Sequence, residues 1–186
     1  MRILINKDRN FKKKLDGLLL KRKMKVRINS VSVSKIINDV KKNGDKALLK
    51  YEKRFNKNKI IKPGLKQIKN LIKSLDPKVK KAIDGAYSRI YKFHSLQKFK
   101  NISYLDKFNN KLEYKYLPIG SVAIYVPGSS ASYPSSVLMN TIPALVAGVK
   151  RIIMVNPGYK GKQNAAVLYA AKKCKIKEIY SIGGRS

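Results

Sequence analysis

A neutral segment of the chain holds the residues whose types and spacing could bind a ligand. No charged side chain occurs between Tyr116 and Val149, although the chain carries 43 Lys and Arg residues. Within this segment, residues 127–136 combine Pro, Gly and several Ser between two apolar stretches. Backbone N–H groups, small side chains and hydroxyls ahead of a helix suit a phosphate or pyrophosphate group. The segment indicates a binding turn for an anionic ligand, and a serine-rich connecting loop without a ligand is the open alternative.

The glycine pattern of this turn differs from the common nucleotide-binding motifs. Gly128 is followed neither by the spaced glycines of a dinucleotide fingerprint nor by the Gly-Lys-Ser/Thr of a P-loop. Tyr125 stands close to the end of the preceding apolar run, where its ring could reach a ligand. A core tyrosine with a satisfied hydroxyl is the commoner role for such a residue, and both interpretations stay open.

Groups that could transfer a proton are scarce in the same region. The neutral segment contains no Asp, Glu, His, Cys, Lys or Arg, whereas hydride transfer or hydrolysis needs a general base or a metal near the reacting atom. We interpret His94, the single histidine, as a helix-packing or hydrogen-bonding residue. We interpret Cys174, the single cysteine, as a packing residue. The sequence therefore predicts half of a binding site and neither catalytic nor metal-ligating residues.

The last third of the chain alternates between strand and helix patterns. The predicted segments are a strand at 122–126, a helix at 134–149, a strand at 152–155, a helix at 165–174 and a strand at 176–182. This alternation predicts parallel strands joined by crossover helices. Pro127-Gly128, Asn156-Pro157-Gly158 and Gly183-Gly184 would then share the carboxyl edge of one sheet, which is where open α/β sheets bind ligands.

The preceding residues suggest a different organisation. Residues 1–30 are predicted as an N-terminal arm, and residues 31–99 as a helical region with a break at Gly44-Asp45 and a helix start at Asp76-Pro77. Residues 100–117 are predicted as a hairpin or link with a turn at Asn109-Asn110.

The charge balance is extreme. The formal net charge of +33 is usual for proteins that bind nucleic acid or anionic membranes. The excess is mainly Lys, spread from Lys7 to Lys177 among many Asn, Ile and Tyr residues that share A/T-rich codons, so mutational bias is a sufficient explanation. We expect no specific nucleic-acid or membrane partner, with a basic nucleic-acid-binding protein as the alternative. The chain shows neither a signal-peptide pattern nor a membrane-spanning run, and its single cysteine fits a reducing compartment, so a cytoplasmic protein is expected.

Several motifs together resemble those of the histidinol dehydrogenase family. The main set is Tyr125-Val-Pro-Gly, Ala131-Ser-Tyr-Pro-Ser-Ser-Val-Leu-Met-Asn, Ile142-Pro-Ala and Val146-Ala-Gly-Val. It is extended by Gly44-Asp45-x-Ala47-Leu48-x-x-Tyr51 with Phe55, by Phe93-His94-x-x-Gln97 and by Ile179-Tyr-Ser-Ile-Gly-Gly184. The resemblance covers nearly all of residues 33–184. It is much more specific than a single glycine pattern.

The resemblance implies an NAD-dependent and zinc-dependent homodimer that oxidises L-histidinol to L-histidine in histidine biosynthesis. It implies an NAD contact at Tyr125, and we extend the cofactor-binding site to Pro127, Gly128 and Ser129, where Ser129 replaces a glycine usual in the family. The family's zinc ligands and its Glu-His proton-transfer pair are expected beyond Ser186. The chain is therefore expected to be a truncated product, catalytically inactive alone, that binds NAD weakly.

The predicted fold class is α/β: an N-terminal helical region followed by a Rossmann-like βαβαβ parallel sheet, incomplete at its C-terminal side. Residues 118–186 form the partial Rossmann-like NAD-binding domain in this interpretation. A non-catalytic α/β module that binds a phosphorylated small molecule is the remaining alternative.

Overall fold

The computed structural model describes residues 9–56, 60–128, 133–158 and 162–183. In chain order the elements are α1 (Phe11–Phe55), α2 (Leu65–Lys73), α3 (Pro77–Ser95), β1 (Ile102–Leu105), β2 (Lys111–Tyr114), β3 (Ser121–Tyr125), α4 (Pro134–Ala147), β4 (Arg151–Val155), α5 (Ala165–Lys173) and β5 (Glu178–Tyr180). The chain divides into two compact units, Met1–Leu48 and Leu49–Ser186. The sequence predicts domain boundaries at residues 30, 99 and 117, and that division stays a prediction. The two compact units are divided at a different point, between Leu48 and Leu49.

The first helix begins earlier than the sequence pattern suggested. It starts at Phe11, within residues 1–30, which are predicted from the sequence as an arm. These residues are rich in Lys and Leu, which favour helix, and include no proline. At Gly44 the backbone leaves the helical region, with φ 54° and ψ −136°, which confirms the predicted break. Among the described residues, no helix is both long and apolar enough to cross a bilayer.

The second unit contains a parallel sheet with strand order β3-β4-β5. Tyr125 pairs with Val155, and Val155 pairs with Tyr180. This arrangement confirms the predicted βαβαβ topology, with the carboxyl ends of all three strands on one edge. The third strand is shorter than the predicted 176–182.

One face of this sheet is covered by helices. Ile124, Ile152 and Met154 point to this face and are buried, in one hydrophobic cluster with Leu138 of α4 and Leu168 of α5. The two crossover helices contact each other, and α3 contacts both of them. The hydrophobic core of the unit therefore lies between the sheet and the helices.

The other face of the sheet is less covered by the described residues. Ala123 and Tyr125 are exposed, while Ile153 and Val155 are half-buried. Parallel sheets are normally covered on both faces, whereas the described residues cover this face only in part. The Tyr125 face is therefore accessible to a ligand at the end of β3.

Polar contacts join α3 to α5. The Tyr169 hydroxyl donates to Asp84 Oδ2 at 3.1 Å, and Lys173 Nζ lies 2.9 Å from Asp84 Oδ1. The hydrogen bond from Lys173 is the main cause that lowers the pKa of Asp84. At the start of α3, the Lys78 N–H donates to Asp76 Oδ1 at 2.7 Å, which confirms the predicted helix start.

The segment before the sheet forms an antiparallel hairpin of β1 and β2, as predicted for residues 100–117. Its loop runs from Asp106 to Asn110 and is longer than the predicted two-residue turn. Asp106 Oδ1 accepts hydrogen bonds from the N–H groups of Phe108 and Asn110, both at 2.8 Å. Asn109 adopts a positive φ of 67°, a conformation that asparagine tolerates.

The single cysteine is a core residue. Cys174 is only 1% exposed and belongs to the hydrophobic cluster. Burial raises the pKa of its thiol to about 11, so the thiol stays protonated at neutral pH. The predicted packing role is confirmed.

Candidate ligand-binding edge of the sheet

The carboxyl edge of the sheet brings together the residues that follow β3, β4 and β5. The Val126 N–H donates to Val155 O at 2.8 Å, and the Asn156 N–H donates to Tyr180 O at 2.9 Å. The parallel pairing therefore continues one residue beyond the strands. The three loops leave the sheet side by side, which confirms the juxtaposition predicted from the sequence.

Glycines allow these loops to touch. A Cβ atom built on Gly128 would lie 2.2 Å from Gly158 O and 2.6 Å from Gly158 N. Gly158 itself has a φ of 70°, which side-chain-bearing residues rarely adopt. A Cβ on Gly183 would lie 2.9 Å from Pro157 Cγ. Since real Cβ atoms essentially never approach heavy atoms closer than 3.0 Å, side chains at these positions would force the loops apart.

A buried polar network ties the same loops together. Asn156 is 2% exposed, and its Nδ2 donates to Val126 O at 2.9 Å and more weakly to Pro127 O at 3.4 Å. Gln163 Nε2 donates to Asn156 O at 3.0 Å and to Ser181 Oγ at 2.5 Å. Side chains that follow β4 thus connect to the exits of both β3 and β5.

The sequence interpretation missed this network. It treated Asn156 only as a turn residue and did not single out Gln163 or Ser181. A signal was present for Asn156, because a polar residue directly after an apolar strand often holds a neighbouring loop. For Gln163, no local pattern identifies its distant partner, since that partner is set by the pairing of β4 with β5.

Tyr125 is the last residue of β3 and is 47% exposed. It shares the accessible face of the sheet with Val155 and Tyr180, its neighbours in register. Lys62 Nζ lies 4.8 Å from the centroid of the Tyr180 ring and brings a positive charge to this region. The tyrosine predicted for the ligand edge is therefore accessible rather than a core residue.

The helix that follows the candidate turn adds electrostatic support. α4 begins at Pro134 after the N-cap residue Tyr133, whose side chain makes no capping hydrogen bond among the described residues. A helix N-terminus carries a partial positive charge and unsatisfied N–H groups, which favour a phosphate. Ser129, the fourth predicted contact, lies outside the described residues, as do Gly184, Arg185 and Ser186.

The lone histidine lies away from this edge. His94 Nδ1 is 2.7 Å from Gln97 Oε1, which confirms the hydrogen-bonding role. Both residues line a cavity of about 330 Å³ together with Pro118, which precedes β3, and Ala147, which ends α4. Those residues mark the amino end of β3, the rim opposite Gly128.

Metal-ligating side chains are not grouped in the part of the chain that the structure describes. There, no three side chains of His, Cys, Asp or Glu lie close enough together to hold a metal ion. These residues do not fit a zinc site of the usual kind, which needs at least three protein ligands.

Comparison with known proteins gives a consistent result. A family model described as histidinol dehydrogenase matches residues 20–186. The histidinol dehydrogenase of Pelagibacter ubique is 78% identical over all 186 residues, and that of Rhizobium meliloti is 43% identical over 171 residues. The crystal structure of histidinol dehydrogenase from Elizabethkingia anophelis superposes with a TM-score of 0.79 at 35% sequence identity, over 83% of this chain.

The match covers only part of those proteins. The aligned region is 44% of the Pelagibacter relative, 39% of the Rhizobium relative and 36% of the Elizabethkingia chain. The chain thus spans less than half the length of the relatives it matches. Because the family model nevertheless covers most of the chain, the chain belongs to the histidinol dehydrogenase family.

Proposed function

We propose that this chain supplies the NAD-binding part of a cytoplasmic histidinol dehydrogenase, an enzyme that oxidises L-histidinol to L-histidine and acts as a homodimer. The observation that supports this most is the accessible carboxyl edge, where Gly128 is packed on Gly158 and Tyr125 lies on the open face. An accessible edge of this kind is where open α/β sheets bind nucleotides.

The residues of the edge fit the needs of a dinucleotide. The residues Pro127 and Gly128 allow the backbone to approach a pyrophosphate closely, and the N-terminus of α4 offers a partial positive charge. The Tyr125 ring provides a flat contact surface for a ring of the cofactor. When bound, NAD would supply the hydride acceptor, while these residues bind and orient it.

We assign zinc binding and proton transfer to the part of the family sequence that this chain does not match. The described residues do not fit a zinc site, His94 lies at the opposite rim, and the Cys174 thiol is buried and protonated. The relatives extend well beyond the region that matches this chain. In this proposal the described residues therefore serve cofactor binding.

The purified chain is expected to produce no NADH from L-histidinol, NAD and zinc, because its binding edge carries no general base among the described residues. The measurement is NADH absorbance over time, with a full-length histidinol dehydrogenase assayed in parallel as the positive control. Zinc-dependent NADH formation by the purified chain would contradict the proposed division of roles.

The Tyr125→Ala variant is expected to weaken NAD binding about tenfold, since loss of an aromatic contact to a ring costs on the order of 1–3 kcal/mol. Equilibrium dialysis with NAD measures the dissociation constant. Tyr104→Ala is the matched control, because Tyr104 is an exposed tyrosine on the β1–β2 hairpin. Equal affinities of wild type and Tyr125→Ala would instead favour a site for a smaller phosphorylated ligand.

A further inference from the structure

The exit of β5 is held by Glu52, in the last turn of α1, and by Asn56, which directly follows α1. Glu52 Oε1 accepts a hydrogen bond from the Gly183 N–H at 2.8 Å. Asn56 Nδ2 donates to Gly183 O and also to Glu52 Oε2, the latter at 2.9 Å. Both backbone groups of Gly183 are thus bound by side chains that lie one helical turn apart. We call Glu52 and Asn56 the exit clamp.

The surrounding contacts leave this turn little freedom. The Ser181 N–H donates to Ile61 O at 2.6 Å, and Gly183 lies against Pro157 so closely that a Cβ would overlap it. All of these residues belong to one compact unit, Leu49–Ser186. The direction in which the chain leaves β5 is therefore fixed from α1 on one side and from the β4 exit on the other.

The clamp contains a buried carboxylate. Glu52 is 5% exposed, and burying a carboxylate costs free energy unless hydrogen bonds compensate. An apolar side chain would avoid that cost but would leave the Gly183 N–H without this acceptor. A carboxylate and an amide side by side, however, match one N–H and one C=O of the same residue, so the pair recognises a specific backbone geometry.

We propose that Glu52 and Asn56 are positioning residues, which fix the turn from Ser181 to Gly183 and so set the β5 side of the edge where the cofactor would bind. This inference rests on the proposed NAD site. It adds two residues to that site, although neither lies on a loop of the edge. Neither residue is predicted from the sequence, since one Glu and one Asn at helical spacing usually form a solvated face.

The test compares Glu52→Met, which offers no comparable acceptor, with Glu52→Gln, which keeps one neutral acceptor oxygen for the Gly183 N–H. Amide hydrogen exchange at Gly183, read by NMR, is expected to rise at least about tenfold in Glu52→Met and less in Glu52→Gln, because the acceptor itself is lost only in the first. If Glu52→Met does not fold, Asn56→Ala, which truncates a half-buried side chain, replaces it in the comparison. The Val126 amide, at the exit of β3, is the internal reference.

NAD affinity then separates positioning from plain stabilisation. The dissociation constant is expected to rise about tenfold in Glu52→Met or Asn56→Ala and to rise less in Glu52→Gln. Tyr169→Phe, which loses the hydrogen bond to Asp84, lowers stability away from the edge and should leave NAD affinity unchanged.

Each other result has one meaning. If Gly183 exchange is unchanged, or if Glu52→Met and Glu52→Gln behave alike, the clamp does not hold the turn and the inference fails. If exchange rises but NAD affinity stays at the wild-type value, the residues are structural only and the inference also fails. If the wild-type chain binds no NAD at all, the proposed function is what fails, while Gly183 exchange still decides whether the clamp exists.

Discussion

Replacing Gly128 by alanine is expected to lower the free energy of unfolding by about 3 kcal/mol and to weaken NAD binding at least about tenfold. The added methyl would lie 2.2 Å from Gly158 O and 2.8 Å from Gly158 C. These are backbone atoms, so the overlap cannot be relieved by rotating a side chain. The Asn156–Gln163–Ser181 network also holds the loop that carries Gly158, which limits its retreat.

The matched control is Gly120→Ala. Gly120 precedes β3 by one residue, and a Cβ there has no heavy atom within 4 Å. Its replacement should change stability by no more than about 0.5 kcal/mol. Urea unfolding followed by circular dichroism gives both free energies, and dialysis gives both NAD affinities. If Gly128→Ala were as stable as Gly120→Ala, the contact between the β3 and β4 exits would be looser than the structure shows.

The sheet could be predicted because its signals are local and strong. The apolar runs at 122–126 and 152–155 have strand length, and Pro134 and Asn164 mark helix starts. Once strand and helix alternate, parallel pairing and a common carboxyl edge follow from chain connectivity. The start of α1 could not be placed, because its Lys-rich first turns contain no stop signal and helix propensity continues through them.

The candidate site could be predicted only in part. Tyr125, Pro127 and Gly128 lie at the edge where the sequence placed them, and their contact with NAD stays a prediction. The residues that set the shape of the edge, Asn156 and Gln163, act through partners far away in the chain. Such pairs become visible only when the strands are in register, since neither residue belongs to a local motif.

The Asn156→Asp variant is expected to be destabilised by about 3 kcal/mol at neutral pH. The wild-type amide donates to two carbonyl oxygens, Val126 O and Pro127 O, and an ionised carboxylate of the same shape has no hydrogen to donate. It would instead place a negative charge against both oxygens at a position only 2% exposed. The β3 exit would lose its side-chain attachment to the β4 exit, so we also expect weaker NAD binding.

The pH dependence of this loss has a defined sign. Burial and the facing carbonyl oxygens should raise the pKa of the introduced carboxyl above its unfolded value of about 3.9. The folded variant then binds the proton more tightly than the unfolded chain. The loss of unfolding free energy relative to wild type should be small near pH 4, where a protonated carboxyl can donate. This loss should grow as pH rises through the folded pKa. Unfolding free energies of both proteins across this range measure the difference.

Asn164→Asp is the matched control and should behave in the opposite way. Asn164 is exposed at the N-cap of α5, where its Oδ1 accepts from the N–H groups of Ala166 at 2.9 Å and Val167 at 3.3 Å. A carboxylate accepts these bonds equally well and is favoured by the helix dipole, so stability at neutral pH should be unchanged or slightly higher. The pKa of this carboxyl should be lowered on folding, and any gain is lost as pH falls through that lowered folded pKa. The two Asn→Asp changes, eight residues apart, should thus show opposite slopes of stability against pH, because the Asn156 side chain donates hydrogen bonds and the Asn164 side chain accepts them. Parallel slopes would mean that the Asn156 amide does not hold the β3 exit.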